Sequence, residues 1–319
     1  MALFKLLCTK KLFRCTLTLP SAFYSSEAVT TSTRLKFVPV SDPAEERQVK
    51  QLTDFVNNSQ SLFILSGAGI STESGIPDYR SEGVGLYARS DQRPIQYSDF
   101  LRYPSRRVKY WARNYVGWPL FSSVQPNLTH KICADWEEAG KVHWLVTQNV
   151  DALHTKAGSK NITELHGCSH RVVCLSCQSI TPRKELQKII SELNPRFKVE
   201  SLNISPDGDV LLSDEEIKGF QVPECTNCGG ILKPDVVFFG DNVPRPIVHF
   251  VFKKLSECDS VLVIGSSLFV YSGYRFILAA SEQKKPVAVL NIGETRADHL
   301  ADLKINAKVS DVLQQVKLR

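Results

Sequence analysis

Ser61-Leu-Phe-Ile-Leu-Ser66 runs directly into Gly67-Ala-Gly69-Ile-Ser71 and on through Thr72-Glu-Ser-Gly75-Ile-Pro77-Asp78-Tyr79-Arg80. A short apolar run that ends in a glycine loop reads as a buried parallel strand feeding a ligand loop. The Gly67-x-Gly69 spacing lets backbone amides approach a pyrophosphate. A hydride-transfer loop would carry a third glycine at position 72, where Thr72 stands, which disfavours a dehydrogenase. About ten more residues are expected before helical sequence begins.

The same pattern of strand followed by small polar residues recurs three times. Val142 to Thr147 leads into Gln148-Asn149-Val-Asp151, Ser260 to Ile264 into Gly265-Ser266-Ser267, and Pro286 to Leu290 into Asn291-Ile292-Gly293. Helical periodicity is expected over Asp42 to Asn57, Thr129 to Gly140 and Tyr274 to Lys284. Alternating strands and helices predict an α/β fold with a doubly wound, Rossmann-like parallel sheet, which binds ligands at the carboxyl ends of its strands. Residues 86–125, rich in Arg and aromatics, look like an inserted helical cap, and residues 168–233 like a second insertion.

Composition excludes several classes. With 43% hydrophobic and 23% charged residues among 319, the chain can bury a full core. No apolar run reaches the ~20 residues of a membrane span, and the best candidate, Val261 to Ala280, is broken by Ser266, Ser267, Ser272 and Arg275. Of the net charge of +6, half comes from Lys5, Lys10, Lys11 and Arg14 against Glu27 in residues 1–33. The remainder is only mildly basic, so nucleic acid is not an expected partner. Residues 1–33 fit a mitochondrial transit peptide, which implies the matrix and reduced cysteines; a merely basic tail or a secretory signal are the alternatives.

Cys174-Leu-Ser-Cys177 and Cys225-Thr-Asn-Cys228 are two knuckles of the spacing that brings thiolates to one zinc ion. Four thiolates leave no open position, so the expected zinc is structural. A thioredoxin-like redox motif is the runner-up, and Cys168 a stand-in ligand. The 47 intervening residues, Ser205-Pro-Asp-Gly208 among them, must loop out. Cys8, Cys15, Cys133 and Cys258 read as leader or core residues.

Over about residues 40–315 the chain resembles the sirtuins, the NAD-dependent protein-lysine deacylases. The resemblance rests on Gly67 to Ser71 with Gly75 to Arg80, on Thr147-Gln-Asn-Val-Asp-Ala-Leu-His154, and on His166-Gly167. The two cysteine pairs, Pro234 to Asp241, Gly265 to Ser267 and Asn291 to Gly293 complete it in the family's order. Tyr79 stands where many members have Phe. The resemblance implies that Gly67, Ala68, Gly69 and Ser71 cradle phosphates and ribose, and that Asp78, Tyr79 and Arg80 close over the nicotinamide side. It further implies that Gln148, Asn149 and Asp151 line the ribose and nicotinamide pocket, and that Gly265, Ser266, Ser267, Asn291, Ile292, Gly293 and Val309 face the adenosine half. Val236, Val237, Phe238 and Phe239 would pair as a strand with the substrate peptide.

Catalysis would fall to His166, Asn149 and Asp151. By that resemblance the acyl oxygen of a modified lysine attacks C1′ of the nicotinamide ribose and displaces nicotinamide. His166 then acts as general base on a ribose hydroxyl, and water completes transfer of the acyl group to ADP-ribose. His154 is expected to fix its loop; His130, His143, His170, His249 and His299 to be structural or exposed; Asp241 to serve a turn or binding.

Within the family the cap resembles the mitochondrial class II branch, through Arg93-Pro-Ile-Gln96 and Tyr110-Trp-Ala-Arg113-Asn-Tyr-Val-Gly-Trp118. Tyr110-x-x-Arg113 resembles the pair with which desuccinylase-type relatives hold an acidic acyl group, and its i, i+3 spacing puts both on one helix face. A solvated basic face is the alternative. The resemblance implies deacylase or lipoamidase activity on acyl-lysine proteins, metabolic enzymes among them, with NAD consumed and a monomeric chain. Protein mono-ADP-ribosyl transfer and a non-enzymatic NAD-sensing zinc scaffold are the competing readings.

Overall fold

Each apolar run that ends in small residues becomes a strand of one parallel sheet in the computed structural model, which describes residues 35–91, 93–201 and 204–319. The expected leader, residues 1–33, lies outside the described residues. The strands are β1 (Leu62–Ser66), β2 (Val142–Thr147), β3 (Ile162–Glu164), β7 (Ser260–Ile264), β8 (Val287–Leu290) and β9 (Leu303–Ile305), in the order β3-β2-β1-β7-β8-β9. Every residue of β1, β7 and β8 is buried, as a sheet covered on both faces requires. One face packs Leu62, Ile64, Leu262 and Leu290 against the helices Glu46–Asn58 and Leu128–Glu138. The other packs Phe63, Leu65, Val263 and Val289 against Arg245–Ser256 and Tyr271–Glu282. The strand order reverses between β1 and β7, which opens the crevice of a doubly wound sheet there.

Helix boundaries moved for local reasons. The helix expected from Asp42 starts at Glu46, because Pro43 disfavours helical backbone before it and a Glu45–Gln48 capping box fixes the start. The next begins at Leu128, where Asn127 accepts from the amides of Thr129 and His130. The helix expected from Tyr274 begins at Tyr271. A 3-10 helix, Ala68–Ser74, forms inside the glycine loop, where the Thr72 hydroxyl donates to the Gly69 carbonyl at 2.8 Å, and residues 75–85 then precede the α-helix Leu86–Arg89.

A second, antiparallel sheet has the order β5-β4-β6, from β4 (Gly167–Cys174), β5 (Ile180–Pro182) and β6 (Leu232–Val236). The cap contributes the helices Leu86–Arg89, Tyr97–Arg102 and Pro104–Ser123. The longest of these is fastened to the antiparallel module by Arg183, which is fully buried. Its guanidinium lies over Trp118 at 4.8 Å and Trp111 at 5.5 Å and donates to Asn114 Oδ1 at 2.8 and 3.0 Å. Burial lowers its pKa to about 9. The segment expected to loop out is packed instead. Ile204 and Val210 join a core cluster with Val116, Trp118 and Phe121, and Gly208 abuts Gly117 so closely that a Cβ on Gly117 would lie 2.0 Å from the Gly208 carbonyl oxygen. Among the described residues no helix is long and apolar enough to cross a membrane.

Gly69 sets the spacing of the two central strand ends, since a Cβ there would sit 2.8 Å from the Gly265 carbonyl oxygen and 3.1 Å from its Cα. Backbone lines both sides, so Gly69→Ala is expected to destabilise the chain by about 1–3 kcal/mol. Urea denaturation measures this, and an unchanged midpoint would contradict the close approach.

Candidate functional site

Loops at the carboxyl ends of β1, β2, β7 and β8 enclose one cavity of about 880 Å³, within the range of small-molecule sites. The Gly67 amide donates to the Ile264 carbonyl at 3.1 Å and the Gly69 amide to the Gly265 carbonyl at 2.9 Å, which seats the first loop against the third. Side chains tie in the rest. Ser71 donates to Asp151 at 2.7 Å, Asn149 donates to the Gly67 carbonyl and to Ser71 at 3.1 Å each, and Gln148 donates to Ser266 at 2.6 Å.

Burial raises the pKa of Asp151, while the Leu153 amide and the Ser71 hydroxyl hold it back. Those donors offset the cost of placing a carboxylate under the loop. His154 lies one layer deeper: its Nε2 is 2.9 Å from Ser66 Oγ, and burial lowers its pKa to about 3. It packs edge-on against His130 at 4.8 Å, so it fixes the loop as expected.

His166 stands at the start of β4 and faces the cavity. Its Nδ1 is 2.8 Å from the Gln148 carbonyl and its Nε2 2.8 Å from Ser272 Oγ. A carbonyl only accepts, so Nδ1 carries the proton and Nε2 presents a lone pair to a hydroxyl. Burial lowers its pKa, with the Arg275 charge acting in the same direction. The site can therefore take a proton from a hydroxyl seated where Ser272 now donates. Ser272 escaped the sequence reading because it lies in an ordinary helix N-terminus, outside any strand-end cluster.

The structure gathers Gly67, Ala68, Gly69, Ser71, Asp78, Tyr79, Arg80, Gln148, Asn149, Asp151, Gly265, Ser266, Ser267, Asn291, Ile292 and Gly293 around this cavity. Val236, Val237, Phe238, Phe239 and Tyr110 line it as well. Asp78 turns its loop by accepting from the Ser81 amide at 2.9 Å and from the Ser81 hydroxyl. Phe239 already shares a bridge with Gln96, and the Val237 amide donates to the His166 carbonyl at 2.8 Å.

Two expected residues are not among the cavity-lining groups. Val309 packs in the core beside Ile70 and Ile305, and Asn306 takes the rim instead. Arg113 points from the cap helix towards Asp209, at 2.6 Å, and donates to the Val210 carbonyl at 2.6 Å. Its charge is thus met by the chain itself, and the expectation of a free Tyr110–Arg113 carboxylate clamp is corrected to that extent. The i, i+3 spacing put both residues on one helix, but Tyr110 lines the cavity while the inserted loop, which has no periodic signal, holds Arg113. Burial and the neighbouring Asp207 push the Asp209 carboxyl up to about 7.

Cys174, Cys177, Cys225 and Cys228 converge away from the cavity, their sulfurs all within 4.8 Å of one another. The Cys174–Cys228 and Cys177–Cys225 separations are 3.5 and 3.7 Å. A tetrahedron with Zn–S bonds of about 2.3 Å has edges of about 3.8 Å, so these residues fit zinc. Cys168, Cys133 and Cys258 are buried elsewhere, and Cys168 is not part of the cluster.

Residues 67–272 match the family model described as Sir2 family. The chain is 60% identical over 277 residues to the human NAD-dependent protein lipoamidase sirtuin-4, mitochondrial, covering 87% of this chain and 88% of that one. It is 52% identical to the NAD-dependent protein deacylase Sirt4 of Drosophila melanogaster, covering 92% and 94%. A solved structure of Sir2 with p53 peptide and NAD+ superposes with a TM-score of 0.68 at 29% identity, covering 84% of this chain and 96% of that one. A structure of Sir2 bound to acetylated peptide superposes at 0.67 and 28% identity, with the same coverage.

The four-thiolate cluster makes a metal prediction. Elemental analysis of the purified chain should return one zinc per chain, and Cys225→Ser should lose it and melt at lower temperature. Site formation of this type contributes roughly 10–16 kcal/mol in zinc-finger peptides, so the loss should be evident. Full metal-free stability would contradict the assignment.

Proposed function

The chain belongs to the Sir2 family, and from that premise we propose that it is an NAD-dependent protein-lysine deacylase, with lipoamidase activity in its range. The observation that carries the reading is the protonation geometry of His166. Its Nδ1 is committed to the Gln148 carbonyl and its Nε2 faces the cavity beside a hydroxyl. The named relatives, a lipoamidase and a deacylase, support the same class. Substrates would be acyl-lysine segments of proteins entering along Val236 to Phe239. The names of the human and bovine relatives favour mitochondria, and we infer the matrix from the basic leader.

NAD, consumed as co-substrate, would supply a glycosidic bond whose cleavage leaves ADP-ribose to accept the acyl group. The loops Gly67 to Ser71 and Gly265 to Ser267 would close around its phosphates and ribose, shaped by the Gly67, Gly69 and Gly265 amides, which are themselves committed to carbonyls. Asn149 and Asp151, locked through Ser71, would orient the nicotinamide ribose and oppose the charge that develops there. His166 Nε2 would take the proton of the ribose hydroxyl that attacks the acyl carbon. Cys174, Cys177, Cys225 and Cys228 would hold a structural zinc that keeps β4 and β6 in register, and with them His166 and Val236 to Phe239.

Transfer of ADP-ribose to a protein side chain is the second reading. It uses the same bond cleavage and differs only in which group captures the ribose. Release of O-acyl-ADP-ribose, as against ADP-ribose retained on protein, separates the two by mass spectrometry.

Incubation with NAD and acetyl-, succinyl-, methylglutaryl- and lipoyl-lysine peptides tests the main reading. His166→Ala should lower turnover by about 10²–10⁴-fold. The neutral imidazole is the active form, and its pKa is lowered by burial. The acid limb of kcat/KM should therefore have its midpoint below the free-histidine value of about 6.5, with activity retained as pH rises through neutrality. A limb centred above that value would contradict His166 as the base. For acyl choice, Asp209 already neutralises Arg113. Asp209→Asn should raise turnover of carboxylate-ended acyl groups relative to acetyl by about tenfold, the scale of one charge-assisted hydrogen bond. An unchanged ratio would show that Arg113 does not read the acyl end.

A further inference from the structure

The rim of the cavity carries a strip of aromatic rings and guanidinium groups that make no hydrogen bond to His166. Phe269 and Tyr271 are 58% and 56% exposed, large values for rings beside a catalytic-type cavity. Arg80 lies over the Phe269 ring at 5.5 Å, and Arg275 over the Tyr271 ring at 5.0 Å. Arg296 joins them: it donates to the Phe269 carbonyl at 3.3 Å and stacks over Tyr274 at 4.3 Å and Tyr271 at 6.0 Å. Among the described residues none of these three guanidiniums has a carboxylate oxygen within 4.0 Å. Asp298, the acid nearest to Arg296 in sequence on that side, is occupied by Lys304 at 2.8 Å.

Stacking a guanidinium on a ring holds its plane while leaving N–H groups at its edge free for a carboxylate. Arg275 and Arg296 thus present cation edges with aromatic rings between them, although Glu82 and Glu294 also line the cavity. The strip continues from Leu268 to Val270, which line the cavity opposite Val236 to Phe239. A peptide that carries an acyl-lysine into this cavity would meet the rim that Phe269 shares with Tyr271. We propose that Arg275 and Arg296, set on Tyr271 and Tyr274, form a docking surface for acidic residues that flank the acylated lysine, so that the preferred protein segments are acidic. The proposal rests on the deacylase reading for the lysine itself, and charge complementarity names the occupant of the strip.

The test uses fluorescent acyl-lysine peptides of one sequence with Glu, Gln or Lys at the flanking positions, and the full chain. Anisotropy without NAD reads binding, and NAD-driven turnover reads kcat and KM. The Glu peptide should bind, and show a KM, about fivefold lower than the Gln peptide at equal kcat, the scale of one or two exposed ion pairs. The advantage should shrink as salt shortens the Debye length below about 10 Å. Arg275→Gln with Arg296→Gln should abolish the difference in anisotropy, and Arg296→Gln alone should shrink it while leaving kcat for the Gln peptide unchanged. Arg296→Glu should shift preference towards the Lys peptide, an outcome that misfolding does not produce. Equal binding of Glu and Gln peptides to the unaltered chain, or an advantage that survives the double substitution, overturns the proposal. If the Glu advantage in anisotropy holds while no peptide is turned over, the docking surface stands and the deacylase reading falls.

Discussion

The close approach of two strand-end loops is the constraint on which the site depends. Gly67 and Gly69, after β1, lie against Gly265 and Ser266, after β7, at the point where the strand order reverses. A Cβ at Gly67 would lie 2.7 Å from the Ser266 Cβ, and one at Gly265, whose φ is +55°, would lie 2.6 Å from the Ile70 amide nitrogen. Glycine is therefore needed on both sides of the contact. Because the loops touch, the amides of Gly67 and Gly69 are spent on the carbonyls of Ile264 and Gly265. The crevice then takes its shape from backbone, and the remaining polar groups can be aimed inward.

That geometry makes a buried carboxylate tolerable. Asp151 would be costly alone, but Ser71 and the Leu153 amide both donate to it, and Ser71 is bound in turn by Asn149. Asn149 closes the circuit by donating to the Gly67 carbonyl. Removal of one member leaves others unpaired in a low-dielectric setting, so the set acts as a unit. The same logic explains the neutral histidines beneath it. His154 and His130 stack together without a carboxylate partner, and burial drives both pKa values down. Neutral rings add no charge under the site, which leaves Asp151 as the charged group its donors were arranged to hold.

Legibility in the sequence followed how local each feature is. β2 and β7 appear at their expected bounds because a buried parallel strand is a continuous apolar run, and the small residues after it announce the ligand loops. The thiolate cluster was equally legible, since each knuckle is four residues long and zinc chemistry supplies the pairing. Features that need distant partners were not. Arg113 was readable as a helical cation, but Asp209 lies 96 residues away on a segment with neither period nor motif. Arg183 sits in an ordinary amphipathic helix and gave no hint that two tryptophans from another element would enclose it. Val309 was carried over by resemblance to a position that this chain fills with core packing, leaving Asn306 at the rim.

The packed segment around Gly208 changes what the acyl end of the cavity can do. It enters where Gly117 gives room, and Gly208 itself adopts φ +81° with Phe121 filling the space a side chain would need. This interlock seats Asp207 on the cavity wall and Asp209 against Arg113. Asp209 alone pairs with the guanidinium, and the nearby Asp207 charge adds to burial in raising Asp209 to about 7. Near neutrality a proton therefore moves on and off that carboxyl within the ordinary range of pH. The Arg113–Asp209 pair thus follows from a glycine-for-glycine fit between two segments that the sequence sets far apart.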